Sequence, residues 1–359
     1  MVHAIHHLET SNNLFFPKSQ DASIALVQNE PASTQRASLR RMKRETQTTE
    51  LKFTETSPEE KFEKLIKRIE TLIRVGCYSK VIPDLEKIEQ LIDQKLIDEL
   101  INGIRPHGVD AFELRPAMNQ LKQGLFSEIK AYILALEGKS DAIALCDEGF
   151  ENLKSGIQEL MDLAKTTKMT TDTTVGFDVE RFEKGLEMTH QLFRGMLALS
   201  LNAREMAIDD LRSGLQLATE VDLDFDPQSA FLIKALEQKL EVSLLPESMI
   251  VDEKNPKSLM MAGRYEEALE LLDTLKYPNR EIRAACLALL GRHKEALELL
   301  KTNDGDQDNH SECNSIIHFL RGDYEKAKDK ALNPRPNFSH NHPDFGYLVL
   351  LAITAFEKQ

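Results

Sequence analysis

A short acidic segment holds the side chains in this 359-residue chain that are best suited to bind a metal ion. Aspartate occupies alternate positions from Asp304 to Asp308, and Glu312 follows. Calcium requires several oxygen ligands that converge on one point, and carboxylates with this spacing can supply them. Counted from Asp304, however, Asn309 stands where a calcium-binding EF-hand loop has glycine, and Ser315 stands where it has a bidentate glutamate. These departures favour a solvated turn between two helices, and a metal-regulated module is the less favoured alternative.

The motifs of the common catalytic sites are absent from the sequence. It contains no glycine-rich phosphate loop, no nucleophile elbow, no His-Glu-x-x-His motif and no dinucleotide-binding fingerprint. The four cysteines are scattered singly, without a Cys-x-x-Cys pair, at Cys77, Cys146, Cys286 and Cys313. Such spacing is typical of free cysteines that pack as small apolar side chains in a protein of a reducing compartment. It is not typical of a zinc site or a disulfide framework. We therefore predict that the protein is not an enzyme and uses no cofactor.

The composition predicts a helical protein without a membrane span. The chain lacks Trp and has only 6% aromatic residues, and no stretch alternates with the two-residue period of a strand. No apolar run approaches the roughly 20 residues that a spanning helix needs. The formal net charge of −14 argues against nonspecific binding to nucleic acid. These features predict a cytoplasmic protein.

An internal repeat lies near the C-terminus. Each copy has an apolar segment that ends at a glycine, and an alanine follows five residues later. The pairs are Gly263 and Ala268, Gly291 and Ala296, and Gly322 and Ala327. Glycine ends a helix readily because it adopts left-handed backbone angles without penalty, and a small residue early in the next helix allows close packing. Apolar residues then recur at helical spacing, so each copy predicts an antiparallel pair of helices.

The copies resemble the tetratricopeptide repeat, whose second helix starts with Gly-x-Tyr-x-x-Ala. Tyr265 and Tyr324 match the aromatic position of this motif, and His293 replaces it in the middle copy. The intervals between the glycines, 28 residues from 263 to 291 and 31 from 291 to 322, are shorter than the roughly 34 residues of the standard repeat. The aromatic residue and the Leu-Gly pair of the first helix are also missing. The resemblance therefore implies shortened, divergent repeats.

Weaker copies precede these three. Gly76 and Gly138 each end an apolar segment, and Asn202 takes the place of glycine in another copy, since asparagine is the next best residue for left-handed angles. The intervals from 76 through 138 and 202 to 263 are 61 to 64 residues, about twice the short repeat. Either each interval hides a further copy or the helices are longer. Uninterrupted amphipathic runs over residues 115–137 and 179–201 favour long helices.

The sequence predicts three regions. Residues 1–57, rich in Ser, Thr, Gln and Asn and without a sustained apolar period, are predicted to be disordered. Residues 58–246 are predicted to form long-helix hairpins, and residues 247–359 to form the short repeats and a C-terminal capping helix. The predicted fold is an all-α solenoid of antiparallel helix hairpins, a superhelix like that of tetratricopeptide proteins.

A basic cluster lies in the N-terminal region, at Arg36, Arg40, Arg41, Lys43 and Arg44. We interpret it as part of a solvated linker. A nuclear address, a kinase-recognition segment or the tail of a targeting leader are alternatives that the sequence leaves open. An unstructured leader rich in Ser and Thr is also compatible with a bacterial effector exported into a host cell.

The resemblance to tetratricopeptide proteins implies a concave groove, lined by the first helix of each pair, that holds a peptide or a helix. The positions of this chain that match the groove are Lys257, Met261, Glu281, Ala285, Leu289, Ile316, Phe319 and Leu320. Lys257 is the only cation among them, so the carboxylate clamp of some members of the family is missing. Such a groove would prefer apolar side chains or be filled by the protein's own segments.

The sequence thus predicts a non-enzymatic module that binds a partner polypeptide, as a scaffold, an adaptor or a subunit of a larger assembly. A chaperone-like holder of an apolar segment and an exported effector are alternative forms of the same function. An enzyme or a small-ligand receptor with a site built from distant residues is less favoured.

Overall fold

The computed structural model describes residues 58–92, 111–166, 179–223, 225–246, 251–301, 311–332 and 343–357. Within these ranges the chain forms fourteen α-helices, a 3-10 turn and no β-strand, which confirms the predicted all-α class for them. The predicted disordered region, the basic cluster and the acidic positions from Asp304 to Asp308 lie outside the described residues.

Two compact units divide the described helices. The first contains α1 (Pro58–Arg74), α2 (Val81–Leu91), α3 (Ala111–Glu137) and most of α4 (Asp141–Thr166). The second contains α5 (Val179–Ser200), α6 (Arg204–Glu220), α7 (Pro227–Leu240), α8 (Pro256–Met261), α9 (Tyr265–Thr274), α10 (Arg280–Leu289), α11 (His293–Leu300), α12 (Ser311–Leu320), α13 (Tyr324–Leu332) and α14 (Pro343–Glu357). None of the described helices combines the length and apolarity that crossing a membrane requires.

A residue with left-handed backbone angles lies at each turn that the repeat pattern predicted. The φ angle is 79° at Gly263, 78° at Gly291 and 77° at Gly322, and Asn202 has φ 61°. The next amide then reaches back to close the turn, as when the N–H of Arg264 donates to the carbonyl of Leu259 at 2.9 Å. This is the bond of a Schellman cap, which satisfies carbonyl groups at a helix end. The predicted turn positions, including asparagine in place of glycine, are confirmed.

The small residue that follows each turn is completely buried. The side chains at this position have a relative exposure of 0%, and they are Val81, Ala142, Ala207, Ala268, Ala296 and Ala327. The second helix of each pair therefore starts in close contact with its neighbours, as the repeat pattern predicted for Ala268, Ala296 and Ala327.

Glycines allow the long helices to pack even more closely. A Cβ atom added to Gly149 on α4 would lie 2.9 Å from the carbonyl oxygen of Gly124 on α3. In the second unit, a Cβ atom on Gly195 of α5 would lie 2.8 Å from Cγ of Leu211 on α6. Distances this short exclude any larger side chain. The long helices predicted over residues 115–137 and 179–201 are confirmed as α3 and α5.

The sequence from residue 227 to Leu245, between Pro227 and Pro246, predicts one helix, but the helix observed ends earlier, at Leu240. Glu241 adopts left-handed angles with φ 54°, which stops the helix. The carboxylate of Glu237 then accepts hydrogen bonds from the backbone N–H groups of Leu244 at 2.7 Å and Leu245 at 3.1 Å. The chain reverses around this carboxylate, so the prediction of a helix over residues 241–245 was wrong.

The last helix, α14, packs against α12 and α13, as expected of a cap on the last repeat. It also packs against α5 and α7, helices much earlier in the chain. Its central residues are buried, with Val349, Leu350 and Ile353 at 0% exposure. The predicted region boundary at residue 246 falls inside the second unit, because α7 packs on helices that follow this boundary.

In the first unit, half-buried Glu128 on α3 is expected to make stability depend on pH. Burial raises its pKa from 4.5 to about 7, because it disfavours the charged carboxylate. Between these two values the unfolded chain loses the proton while the folded chain keeps it. The free energy of unfolding should therefore fall as pH rises from 4.5 to 7, by at most ~3 kcal/mol.

Replacing Glu128 with glutamine should remove this fall, so the variant should be the more stable protein at pH 8. Urea unfolding at pH 5 and pH 8 measures this difference in stability, with hydrogen exchange of α3 and α4 as the readout for the first unit. Glu148→Gln, at an exposed position on α4, is the matched control and should keep the pH dependence of the parent. An identical pH dependence in Glu128→Gln and the parent would contradict the assignment.

Candidate interaction surface

The residues predicted to line a groove lie on three helices that follow one another in space. Lys257 and Met261 are on α8, Glu281 is on α10 and Phe319 is on α12. The helix α10 contacts both α8 and α12, so the first helices of the three short repeats are neighbours. The structure thus brings these positions onto adjacent helices of the second unit.

Another helix of the same unit, α7, lies against this set. It packs against α8, α10 and α12, and against α14. Asp226 starts α7 by accepting hydrogen bonds from the N–H groups of Gln228 and Ser229, both at 2.9 Å, and Pro227 occupies the first turn. The face formed by the first helices is therefore occupied by a segment of the chain itself.

Three polar contacts connect α7 and its start to the predicted groove positions. Nε2 of Gln228 donates to Oε2 of Glu281 at 2.8 Å. Nζ of Lys257 donates to the carbonyl oxygen of Phe225 at 2.5 Å. At the other end of α7, Nζ of Lys239 lies 5.5 Å from the ring centroid of Phe319, within the range of a cation–π interaction. These contacts hold both ends of α7 against the first helices.

Most of the predicted groove side chains are buried. Relative exposure is 6% at Met261 and Leu289, 1% at Ala285, and 0% at Ile316 and Phe319. Lys257, Glu281 and Leu320 are half-buried. With α7 in place, the five buried positions offer no surface to a partner.

The helix α7 is itself buried on nearly all sides. Phe231, Leu232, Leu236 and Leu240 are each at most 5% exposed. Burial of a large apolar side chain contributes roughly 1.5 to 3 kcal/mol, so these four together contribute about 6 to 12 kcal/mol. This is comparable to the whole stability of a typical domain, about 5 to 15 kcal/mol. A partner that entered the groove would have to replace this contribution, and we therefore treat α7 as part of the core.

Two charged side chains are buried on the same helix. Lys234 and Glu237 are each 9% exposed and form an ion pair one turn apart. Since Glu237 also accepts the two backbone N–H groups that follow α7, its charge is compensated by a cation and two dipoles. Nothing in the local sequence signals that this helix lies at the centre of the unit, and we did not predict it.

The second helices of the short repeats are exposed on their outer side. Glu266 and Glu270 on α9 and Lys294 on α11 are exposed, whereas the apolar side chains between them are half-buried or buried. The loop between α9 and α10 carries Tyr277, which is 81% exposed, and Leu275, which is 41% exposed. Large side chains this exposed are available for contact with another molecule.

A cleft of about 390 Å³ lies in the first unit, lined by Glu86, Glu89, Gln90, Ile92 and Lys122. Oε2 of Glu89 pairs with Nζ of Lys130 at 2.8 Å. Ligand pockets are usually lined by apolar side chains with a few polar groups, and this cleft has the reverse composition. It does not support a small-molecule site.

The cysteines described in the second unit are poorly placed for chemistry. Cys286 and Cys313 are buried, and burial raises the pKa of Cys286 to about 12. The reactive form of cysteine is the thiolate, so Cys286 stays protonated and unreactive near neutral pH. Across the described ranges, no group of three His, Cys, Asp or Glu side chains has the arrangement to hold a metal ion.

Comparison of the chain with protein-family models, with curated proteins and with solved structures finds no match. The likeness to tetratricopeptide repeats rests on the sequence motif, on the left-handed turns and on the buried small residues described above.

Proposed function

We propose that the protein is a non-catalytic interaction module that binds a partner polypeptide through its helical hairpins, as a scaffold, an adaptor or a subunit of an assembly. The short hairpins α8–α9, α10–α11 and α12–α13 stack as tetratricopeptide-like units. The observation that carries the proposal is the exposure of large side chains on the loop between α9 and α10, where Leu275 is 41% and Tyr277 is 81% exposed, while α7 fills the face of α8, α10 and α12.

The partner binds outside this groove. Displacing α7 would expose four large apolar side chains and the buried pair of Lys234 and Glu237, at a cost close to that of unfolding the unit. We place the binding surface on the outer side of α9 and α11 together with the loop between α9 and α10, which carries two of the exposed large hydrophobic side chains among the described residues. Tyr277 is its most exposed large side chain, and tyrosine is among the residues that contribute most to interfaces.

Affinity capture with the full chain as bait tests this proposal when matched variants are compared. We expect the double variant Leu275→Asp and Tyr277→Asp to fold normally and to retain at least tenfold less partner than the parent. Lys254→Asp, the same change of charge at an exposed position before α8 and outside this surface, is the control for added negative charge. A partner that all three baits retain equally would show that this loop is not the binding surface.

Hydrogen exchange of the captured complex distinguishes a partner bound at the loop from a partner bound in the groove. If the partner binds at the loop, the amides of α7 should stay as protected in the complex as in the free chain. Loss of protection in α7 on binding would show that the partner displaces this helix, and would return the site to the predicted groove positions.

A further inference from the structure

A cluster of ionisable side chains lies near the C-terminal end of α7, with members on α7, α11, α12 and the turn before α13. His293 is the first residue of α11, and its buried Nε2 atom has no hydrogen-bond partner among the described residues. On α12, Nδ1 of His318 lies 3.5 Å from Oδ2 of Asp323, in the turn before α13. Lys239 of α7 completes the cluster, 5.8 Å from the ring centroid of Tyr324.

Positive charge outnumbers negative charge around these two histidines. Arg321, Lys239 and Asp323 act on His293, and Asp323, Lys326 and Arg321 act on His318. Asp323 is the one carboxylate in both sets, and it already pairs with Nη2 of Arg321 at 3.4 Å. It can therefore compensate little of any further positive charge.

The charged side chains of α10 and α14, which pack against α12, form contacts with other residues. On α10, Glu281 accepts from Gln228, and Arg283 pairs with Asp273 at 2.6 Å. On α14, Glu357 pairs with Lys328 of α13. These contacts leave Asp323 as the carboxylate that faces the histidines.

We propose that His293 and His318 form an acid-sensitive latch on α7: in mildly acidic solution they gain protons at buried positions beside Arg321, Lys239 and Lys326, and the cost of burying this charge, together with the repulsion, loosens α12 and the starts of α11 and α13 from the end of α7. The latch involves the resident helix of the groove and depends on no identified partner.

The direction of the effect follows from the environment of each histidine. Burial, as the largest cause, lowers the pKa of His293, and Arg321 and Lys239 lower it further against the opposing effect of Asp323. Burial also lowers the pKa of His318, although Asp323 opposes it. Below the ordinary value of 6.5 the unfolded chain gains protons that the folded chain does not. Stability is thus complete above pH 6.5 and is lost as pH falls, by up to ~tenfold in the unfolding constant per histidine and pH unit.

Chemical unfolding of the full chain at pH 7.5 and pH 5.5 tests the latch. We expect the unfolding constant of the parent to rise more on acidification than that of the double variant His293→Gln and His318→Gln, by no more than ~tenfold for each histidine. Carboxylates are common to both proteins, so their contribution cancels in the difference. Lys294→Gln, at an exposed position next to His293, is the control and should retain the acid sensitivity of the parent. Equal pH dependence in the parent and the double variant would overturn the proposal.

Hydrogen exchange of the unmodified chain provides a test that does not require the variant to fold. After correction for intrinsic exchange rates, α12, the starts of α11 and α13 and the end of α7 should lose protection between pH 7.5 and pH 5.5, while α5 and α6 should keep it. Unchanged protection in α12 and at the starts of α11 and α13 would also overturn the proposal.

Discussion

Replacing Phe319 with aspartate is expected to unfold the second unit. The ring of Phe319 is 0% exposed, and its centroid lies 5.5 Å from that of Phe356 on α14 in an edge-to-face arrangement. Lys239 of α7 approaches the same ring, at 5.5 Å from its centroid. The side chain therefore connects three helices, α7, α12 and α14, that are far apart in sequence.

The expected loss is larger than most domains can tolerate. Truncating a buried phenylalanine costs about 3 to 5 kcal/mol, and burying a carboxylate in its place costs several more, less whatever a new pairing with Lys239 restores. The total approaches the roughly 5 to 15 kcal/mol by which typical proteins are stable. Circular dichroism and thermal melting should show loss of the cooperative transition of the second unit.

Two further variants show whether the loss of stability comes from placing a carboxylate at a buried position. Phe319→Leu keeps an apolar side chain of smaller volume and should cost roughly 1 to 2 kcal/mol. Tyr277→Asp introduces the same carboxylate at a site that is 81% exposed and should change stability by less than about 0.5 kcal/mol. A Phe319→Asp protein that melts cooperatively near the temperature of the parent would show that this ring is not part of the core.

The features that the sequence could predict are those set by local chemistry. Only glycine, and to a lesser extent asparagine, adopts left-handed angles readily, so Gly263 and Asn202 mark the ends of helices without any knowledge of the tertiary structure. The buried alanines of the three short repeats could be found because each lies five residues after the glycine of its turn. The long helices α3 and α5 followed from apolar patterns that no breaker interrupts.

The features that escaped prediction depend on specific hydrogen bonds and on tertiary contacts that an apolar pattern does not show. The short length of α7 results from Glu237, whose carboxylate binds two amides beyond the helix end. Glycines such as Gly124 and Gly149 are unfavourable in helices taken alone, and their reason is the backbone of a neighbouring helix.

The position of α7 in the groove is another feature that the sequence did not predict. Nothing in the pattern of α7 distinguishes it from the other amphipathic helices, and its place became visible only through its contacts with α8, α10, α12 and α14. The groove positions themselves were read from a family motif, which specifies the first helix of each repeat but not what lies against it. The acidic positions from Asp304 to Asp308 lie outside the described residues, so the preference for a solvated turn there stays a prediction.

Introducing arginine at the buried alanine of the first or the second short repeat should destabilise the second unit strongly. Ala268 on α9 and Ala296 on α11 are both 0% exposed, immediately after the turns that reverse the chain at Gly263 and Gly291. A longer side chain must push the paired helices apart, which costs about 1 to 3 kcal/mol from overpacking alone. The guanidinium group must also leave water or force the helix outward, so the total should reach several kcal/mol.

The matched control is Glu270→Arg, which places the same side chain on the exposed face of α9. It should lower stability by no more than about 0.5 kcal/mol, because an exposed position lets the charge stay in water. Urea unfolding of Ala268→Arg, Ala296→Arg and Glu270→Arg measures the three changes side by side. Since the two alanines occupy equivalent places in successive repeats, we expect losses of similar size from both. If Ala268→Arg and Ala296→Arg were as stable as Glu270→Arg, the close contact between paired helices, and with it the placement of the repeats, would be wrong.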